Sequence, residues 1–127
     1  MTPIETELKF MLDDDSAVRR LEACLGEPSA RLSMATRYWL PAAPAGVAVR
    51  LREIGGATEA TIKRGREAPR DGLFVNDEQT EQLDAGIAVA CISGEQPLET
   101  LPLVAGAGLE GPFRYVGLIL TQRHVYT

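Results

Sequence analysis

A chain of 127 residues is long enough for one domain with a sizeable core and too short for two, so residues 1–127 are read as a single unit. Its 45% hydrophobic and 24% charged composition excludes a disordered or fibrous chain, and a net charge of -5 excludes broad binding to nucleic acid or anionic membrane, which needs excess Lys and Arg. Cys24, Cys91 and the lone His124 make no disulfide framework or zinc cluster, the charged start MTPIETELKF is no signal peptide, and no membrane-length apolar run occurs, so a cytoplasmic protein is expected.

Residues 4–12 alternate, with Ile4, Thr6, Leu8, Phe10 and Leu12 on one face and Glu5, Glu7, Lys9 and Met11 on the other. This predicts a strand with a charged face. In DDDSAVRRLEACLGEP the period lengthens, and Val18, Leu21 and Leu25 join Ala17 and Cys24 on one side. An Asp or Ser cap before them and Gly26 and Pro28 after them predict a short amphipathic helix. A second strand is expected over residues 32–40, with Tyr38 and Trp39 packing at its end, and PAAPAG then forms a loop.

Residues 47–54 put Val47, Val49 and Leu51 on one face and Arg50 and Arg52 on the other. Gly55-Gly56 offers a reversal, and residues 58–64 return antiparallel with Ala60 and Ile62 opposite Glu59, Thr61 and Lys63. Residues 65–76, rich in Gly, Pro, Arg and Asp, are expected to form an exposed loop. NDEQTEQLDAGIAVACISG reads either as a strand entering a helix or as two strands, and Tyr115 to Thr127 reads as a strand. His124 has no acidic partner that the sequence can place beside it, so it is expected at a surface or strand edge.

Three strands therefore repeat one design, apolar on one face and ionisable on the other. An ordinary half-exposed sheet with its charges in water produces the same pattern. The alternative is a barrel whose apolar face is turned outward against helices, leaving a wet, polar interior. Glu5, Glu7, Lys9, Arg50, Arg52 and Lys63 would give that interior four positive and two negative groups. Arginine forks and lysine suit phosphate oxygens, and carboxylates suit Mg²⁺ or Mn²⁺, so a metal-bound polyphosphate complements both signs.

ETELK at residues 5–9, followed by a helix, Tyr38, VAVRLRE and ATIKRG, resembles the ordered E-x-E-x-K, L-R-x-R and T-x-K strands of the CYTH, or triphosphate tunnel, superfamily. Glu78 resembles an acidic position of its fifth strand, and Arg123 in TQRHVY resembles the basic residue of an R-x-x-Y strand. The resemblance implies an α+β fold built on an antiparallel β-barrel with covering helices. It also implies metal-dependent hydrolysis of inorganic or organic triphosphate, with class IV adenylate cyclase or a non-catalytic polyphosphate-binding module as alternatives. Lys9, Arg50, Arg52, Lys63 and Arg123 would bind phosphate, with Lys9 and Arg52 catalytic, and Glu5, Glu7 and Glu78 would hold Mg²⁺ or Mn²⁺.

The chain departs from that pattern in several places. Trp39, Leu40 and Pro41 replace an F-D-T-P-like run, and Asn76 and Thr80 stand where an arginine and a second glutamate are expected. The sequence ends within the Arg123 strand, so the barrel is expected to be shortened at its carboxy terminus. Such an open edge implies a fragment, a shortened relative, or a chain that pairs its edge with another copy, as a homodimer. A triphosphate-containing small molecule is the expected partner, with neither nucleic acid nor membrane.

Overall fold

The alternating segments pair into one antiparallel sheet. The computed structural model describes residues 4–9, 11–65 and 73–127, with the side chains of Glu5 and Phe74 outside the description. Its elements are β1 (Ile4–Leu8), α1 (Asp15–Leu25), β2 (Ala30–Leu40), β3 (Val47–Ile54), β4 (Ala57–Gly65), β5 (Leu73–Leu83), α2 (Ala85–Ser93), a 3-10 turn (Leu98–Thr100), α3 (Pro102–Ala105) and β6 (Arg114–Val125). The 6-stranded sheet runs in the order β1-β5-β4-β3-β2-β6, and it curls into a half-barrel. The expected α+β architecture is present, with β1 and β6 as the unclosed edges among the described residues.

The β3–β4 hairpin is the most locally specified piece. Ile54 pairs with Ala57 across a two-residue turn, and Gly55 and Gly56 have φ of 57° and 83°. Both positive values are what a type I′ turn needs, and its twist matches that of the strands it joins.

On the outer, helix-covered face, Val49, Leu51, Ala60 and Ile62 are 0–1% exposed and pack with Cys91 of α2, Leu98, Leu101 and Val104. Burying each larger aliphatic side chain contributes roughly 1.5–3 kcal/mol. Trp39, next to last in β2 and so at a strand end as expected, joins this core, its ring centroid 5.1 Å from that of Tyr115.

Helix α1 forms where expected. Asp14 caps it by accepting from the Ala17 amide at 2.8 Å, and the Gly26 amide donates to the Glu22 carbonyl at 3.0 Å. None of its residues is buried, however, and Val18, Leu21 and Leu25 remain 38%, 46% and 46% exposed. The cover over the sheet comes instead from α2, the 3-10 turn and α3.

Part of the expected 65–76 loop is strand. Leu73 and Val75 pair with Leu8 and Thr6, a contact between distant parts of the chain that local composition does not signal. Residues 66–72 and Phe10 lie outside the described residues. The ambiguous 76–94 segment is a strand entering a helix, with Asp84 accepting from the Gly86 amide at 2.9 Å to cap α2. Among the described residues no helix is long and apolar enough to cross a membrane.

Candidate functional site

Period-two geometry carries the charges to the inside of the curl. Because Val49 and Leu51 face the helices, Arg50 and Arg52 face the opposite way. Register then aligns the neighbours: Arg50 is opposite Thr61 and Tyr38, Arg52 opposite Glu59 and Thr36, and Lys63 opposite Glu78. The result is a cavity of about 360 Å³ lined by Glu7, Lys9, Tyr38, Arg50, Arg52, Ile54, Glu59, Lys63, Glu78 and Arg123.

Seven of the eight residues singled out from the sequence share this cavity. For the eighth, Glu5, the backbone pairs with Asn76 on β1, and its side chain lies outside the described residues. Glu59 and Tyr38 were not among the expected site residues. Glu59 shares the face of Lys63, which is the signal that marks it, and it accepts from Gln82 Nε2 at 3.2 Å. His124, exposed and absent from this lining, sits where expected.

Arg50 is the most enclosed of the cations, 6% exposed. Its Nη2 donates to Thr61 Oγ1 at 3.4 Å and to Glu78 Oε1 at 3.5 Å, and its Nε has no hydrogen-bond partner among the described residues. Charge-assisted N–H···O bonds are ordinarily about 2.7–2.9 Å. Arg50 is therefore removed from water while its donors are only loosely used, an arrangement that costs stability unless a further acceptor is present.

Arg52 Nε donates to Thr36 Oγ1 at 3.1 Å, and no carboxylate among the described residues lies in ion-pair range of it. Burial, and after it the charge of Arg50, pull its guanidinium below the ordinary arginine value; Arg123 adds to the pull, and Tyr38 and Glu59 oppose it. It still carries its charge at neutral pH. At the other end of the cavity Lys9 Nζ is 3.0 Å from Glu7 Oε1, and Lys63 Nζ lies 3.9 Å from Glu7 Oε1 and 3.8 Å from Glu78 Oε2.

The donor chemistry suits a hard divalent cation. Glu7 and Glu78 both reach Lys63, so their oxygens border one small volume. Among the described residues no three acidic, His or Cys side chains come close enough together to hold a metal ion. Two carboxylates are nonetheless a donor set that Mg²⁺ accepts, since it commonly binds through one or two, the rest of its shell being water and substrate phosphate.

No protein-family model matches the chain, and no curated protein matches it either. Among solved structures, a Hippeastrum protein described as a candidate adenylyl cyclase with a dominant triphosphatase activity aligns over 95% of this chain, with a TM-score of 0.70 and 19% identity. This chain spans 64% of the length of that one. The likeness establishes a triphosphate-tunnel-like, CYTH-like fold.

Proposed function

We propose that this chain is a CYTH-type protein whose concave face binds an inorganic or organic triphosphate and hydrolyses it with Mg²⁺ or Mn²⁺. The observation that carries the reading is Arg50, a buried cation with loosely used donors in a cavity shared with four further cations and three glutamates. A solvated charged face would leave such a guanidinium in water. Phosphate oxygens would supply the acceptors that Arg50 and Arg52 lack.

In this reading Lys9, Arg50, Arg52, Lys63 and Arg123 line up phosphate oxygens and neutralise the charge that develops on them, with Lys9 and Arg52 closest to the reacting group. Glu7 and Glu78, with Glu5 on the same strand as Glu7, hold the metal. When bound, that ion would supply Lewis-acid stabilisation of the phosphate charge. Phosphoryl transfer of this kind is mainly positioning and electrostatic stabilisation, so no covalent nucleophile on the chain is required. The rest of the proposal is a cytoplasmic setting and a homodimer formed through the outer edge of β6. Val116, Leu118, Ile119 and Leu120 on that strand are 46–74% exposed, and a mass in solution equal to one chain argues against the dimer.

Phosphate release from tripolyphosphate with Mg²⁺ or Mn²⁺ tests the function. Turnover that disappears in Arg52→Ala supports it, and cyclic AMP formed from ATP selects the class IV cyclase instead. The lack of a three-carboxylate cluster among the described residues favours a second reading, a non-catalytic polyphosphate-binding module. Tight calorimetric binding with no product selects that module. Neither binding nor turnover refutes all three.

A further inference from the structure

Lys63 stands between the two described carboxylates that are the metal candidates. Its Nζ is 3.9 Å from Glu7 Oε1 and 3.8 Å from Glu78 Oε2. The same Glu7 oxygen is 3.0 Å from Lys9 Nζ, and Glu78 Oε1 is 3.5 Å from Arg50 Nη2. Each carboxylate is thus already in ion-pair range of two cations.

The surrounding charge points the same way. Cations outnumber carboxylates in the cavity lining, so a bare divalent cation meets like charge on entry. The positions flanking Glu78 on its own face of β5 do not offset this. Asn76 is neutral, and Thr80 is neutral and shares a 3.0 Å hydrogen bond with Thr61. A triphosphate reverses the balance, because it adds several negative charges and offers Lys63 better acceptors than carboxylates at 3.8 and 3.9 Å.

We infer that Lys63 is an ammonium latch that makes metal binding conditional on the polyanion. In the free protein its Nζ occupies the space between Glu7 and Glu78. With triphosphate present it turns to the phosphate oxygens and leaves both carboxylates to the metal. Lys63 is then a residue with two successive partners, and the metal arrives with the substrate or after it. The inference rests on the triphosphate reading above. By linkage, the factor by which triphosphate tightens the metal equals the factor by which the metal tightens triphosphate, typically about 5- to 150-fold.

The test measures Mn²⁺ binding to the full chain from the electron paramagnetic resonance signal of the free ion. Wild type, Lys63→Met and Lys63→Arg are titrated with Mn²⁺ alone, and separately with inorganic imidotriphosphate, whose bridging nitrogens resist hydrolysis. Lys63→Met is expected to bind Mn²⁺ alone at least about fivefold more tightly than wild type. Lys63→Arg, which keeps the cation, stays as weak as wild type. Lys63→Met binds imidotriphosphate more weakly than wild type does. Lys63→Gln replaces Lys63→Met if the latter loses its cooperative melt. Equal affinity of wild type and Lys63→Met for Mn²⁺ alone overturns the latch, and imidotriphosphate binding by the wild type in that same experiment leaves the triphosphate reading standing. Failure of the wild type to bind imidotriphosphate at all removes both.

Discussion

Replacing Arg52 by methionine separates a binding residue from a structural one, because the two roles predict opposite signs. Arg50 and Arg52 lie two residues apart on one face of β3, which places their Cα atoms about 7 Å apart. At an effective dielectric near 20, two unit charges at that separation repel by about 2 kcal/mol. Arg52 is only half-buried, so solvent reduces this to about 1 kcal/mol. The substitution also removes the 3.1 Å hydrogen bond to Thr36, worth about 1 kcal/mol. Arg52→Met is therefore expected to leave the ligand-free protein as stable as wild type, or up to about 1 kcal/mol more stable once the methionine packs, a rise in Tm of a few degrees at most. Binding behaves differently. Hydrogen bonds to charged groups are worth about 1.5–3 kcal/mol, so triphosphate affinity falls about ten- to a hundredfold. Differential scanning fluorimetry with and without tripolyphosphate, together with calorimetric titration, measures both quantities. A variant that is more than about 2 kcal/mol less stable yet binds tripolyphosphate within threefold of wild type would refute the reasoning, since Arg52 would then hold the fold and not the anion.

Other expectations follow from the core, the hairpin and one thiol. Leu51→Ala, at a position 1% exposed, should cost about 2–5 kcal/mol, read as a lower urea midpoint with an unchanged m-value; a loss under 1 kcal/mol would show that the outer face is not packed as described. Gly55→Val forces a β-branched residue to φ near 57° and should cost about 1–3 kcal/mol by the same measurement, against a negligible change for Thr58→Val on the same hairpin. Burial raises the Cys91 thiol above its ordinary value. The unfolded chain therefore loses that proton first, and the stability contributed by the neutral thiol is complete below the ordinary thiol range and declines as pH rises through and above it. Urea midpoints at pH 7 and pH 10 should converge more in Cys91→Ala than in wild type; an identical decline in both would assign the alkaline loss to other groups.

Local signals were sufficient wherever a segment's neighbours in space are also its neighbours in sequence. The strand limits Val47–Ile54, the Gly55-Gly56 reversal and the caps of α1 follow from period, turn chemistry and hydrogen-bonding ends within a dozen residues. The same period-two rule placed Lys9, Arg50, Arg52 and Lys63 on the face opposite the apolar side chains, and the resemblance of ETELK, VAVRLRE and ATIKRG to an ordered strand set supplied a reason for charge on that face. Glu59 was legible on the same rule, since it shares the face of Lys63, whereas Tyr38 joins the cavity through its register opposite Arg50.

Contacts between distant segments were not legible. That Leu73 and Val75 extend β5 beside β1, that α1 leaves Leu21 and Leu25 exposed while Leu98, Leu101 and Val104 complete the core, and that Lys63 sits between Glu7 and Glu78 all depend on which strands become neighbours. Sequence periodicity determined which side chains share a face, because alternation is a property of a single strand. Whether that face is a wet surface or a cavity with a buried arginine was decided by the curl of the whole sheet, which brings six strands and their charges around one volume and withdraws them from bulk water.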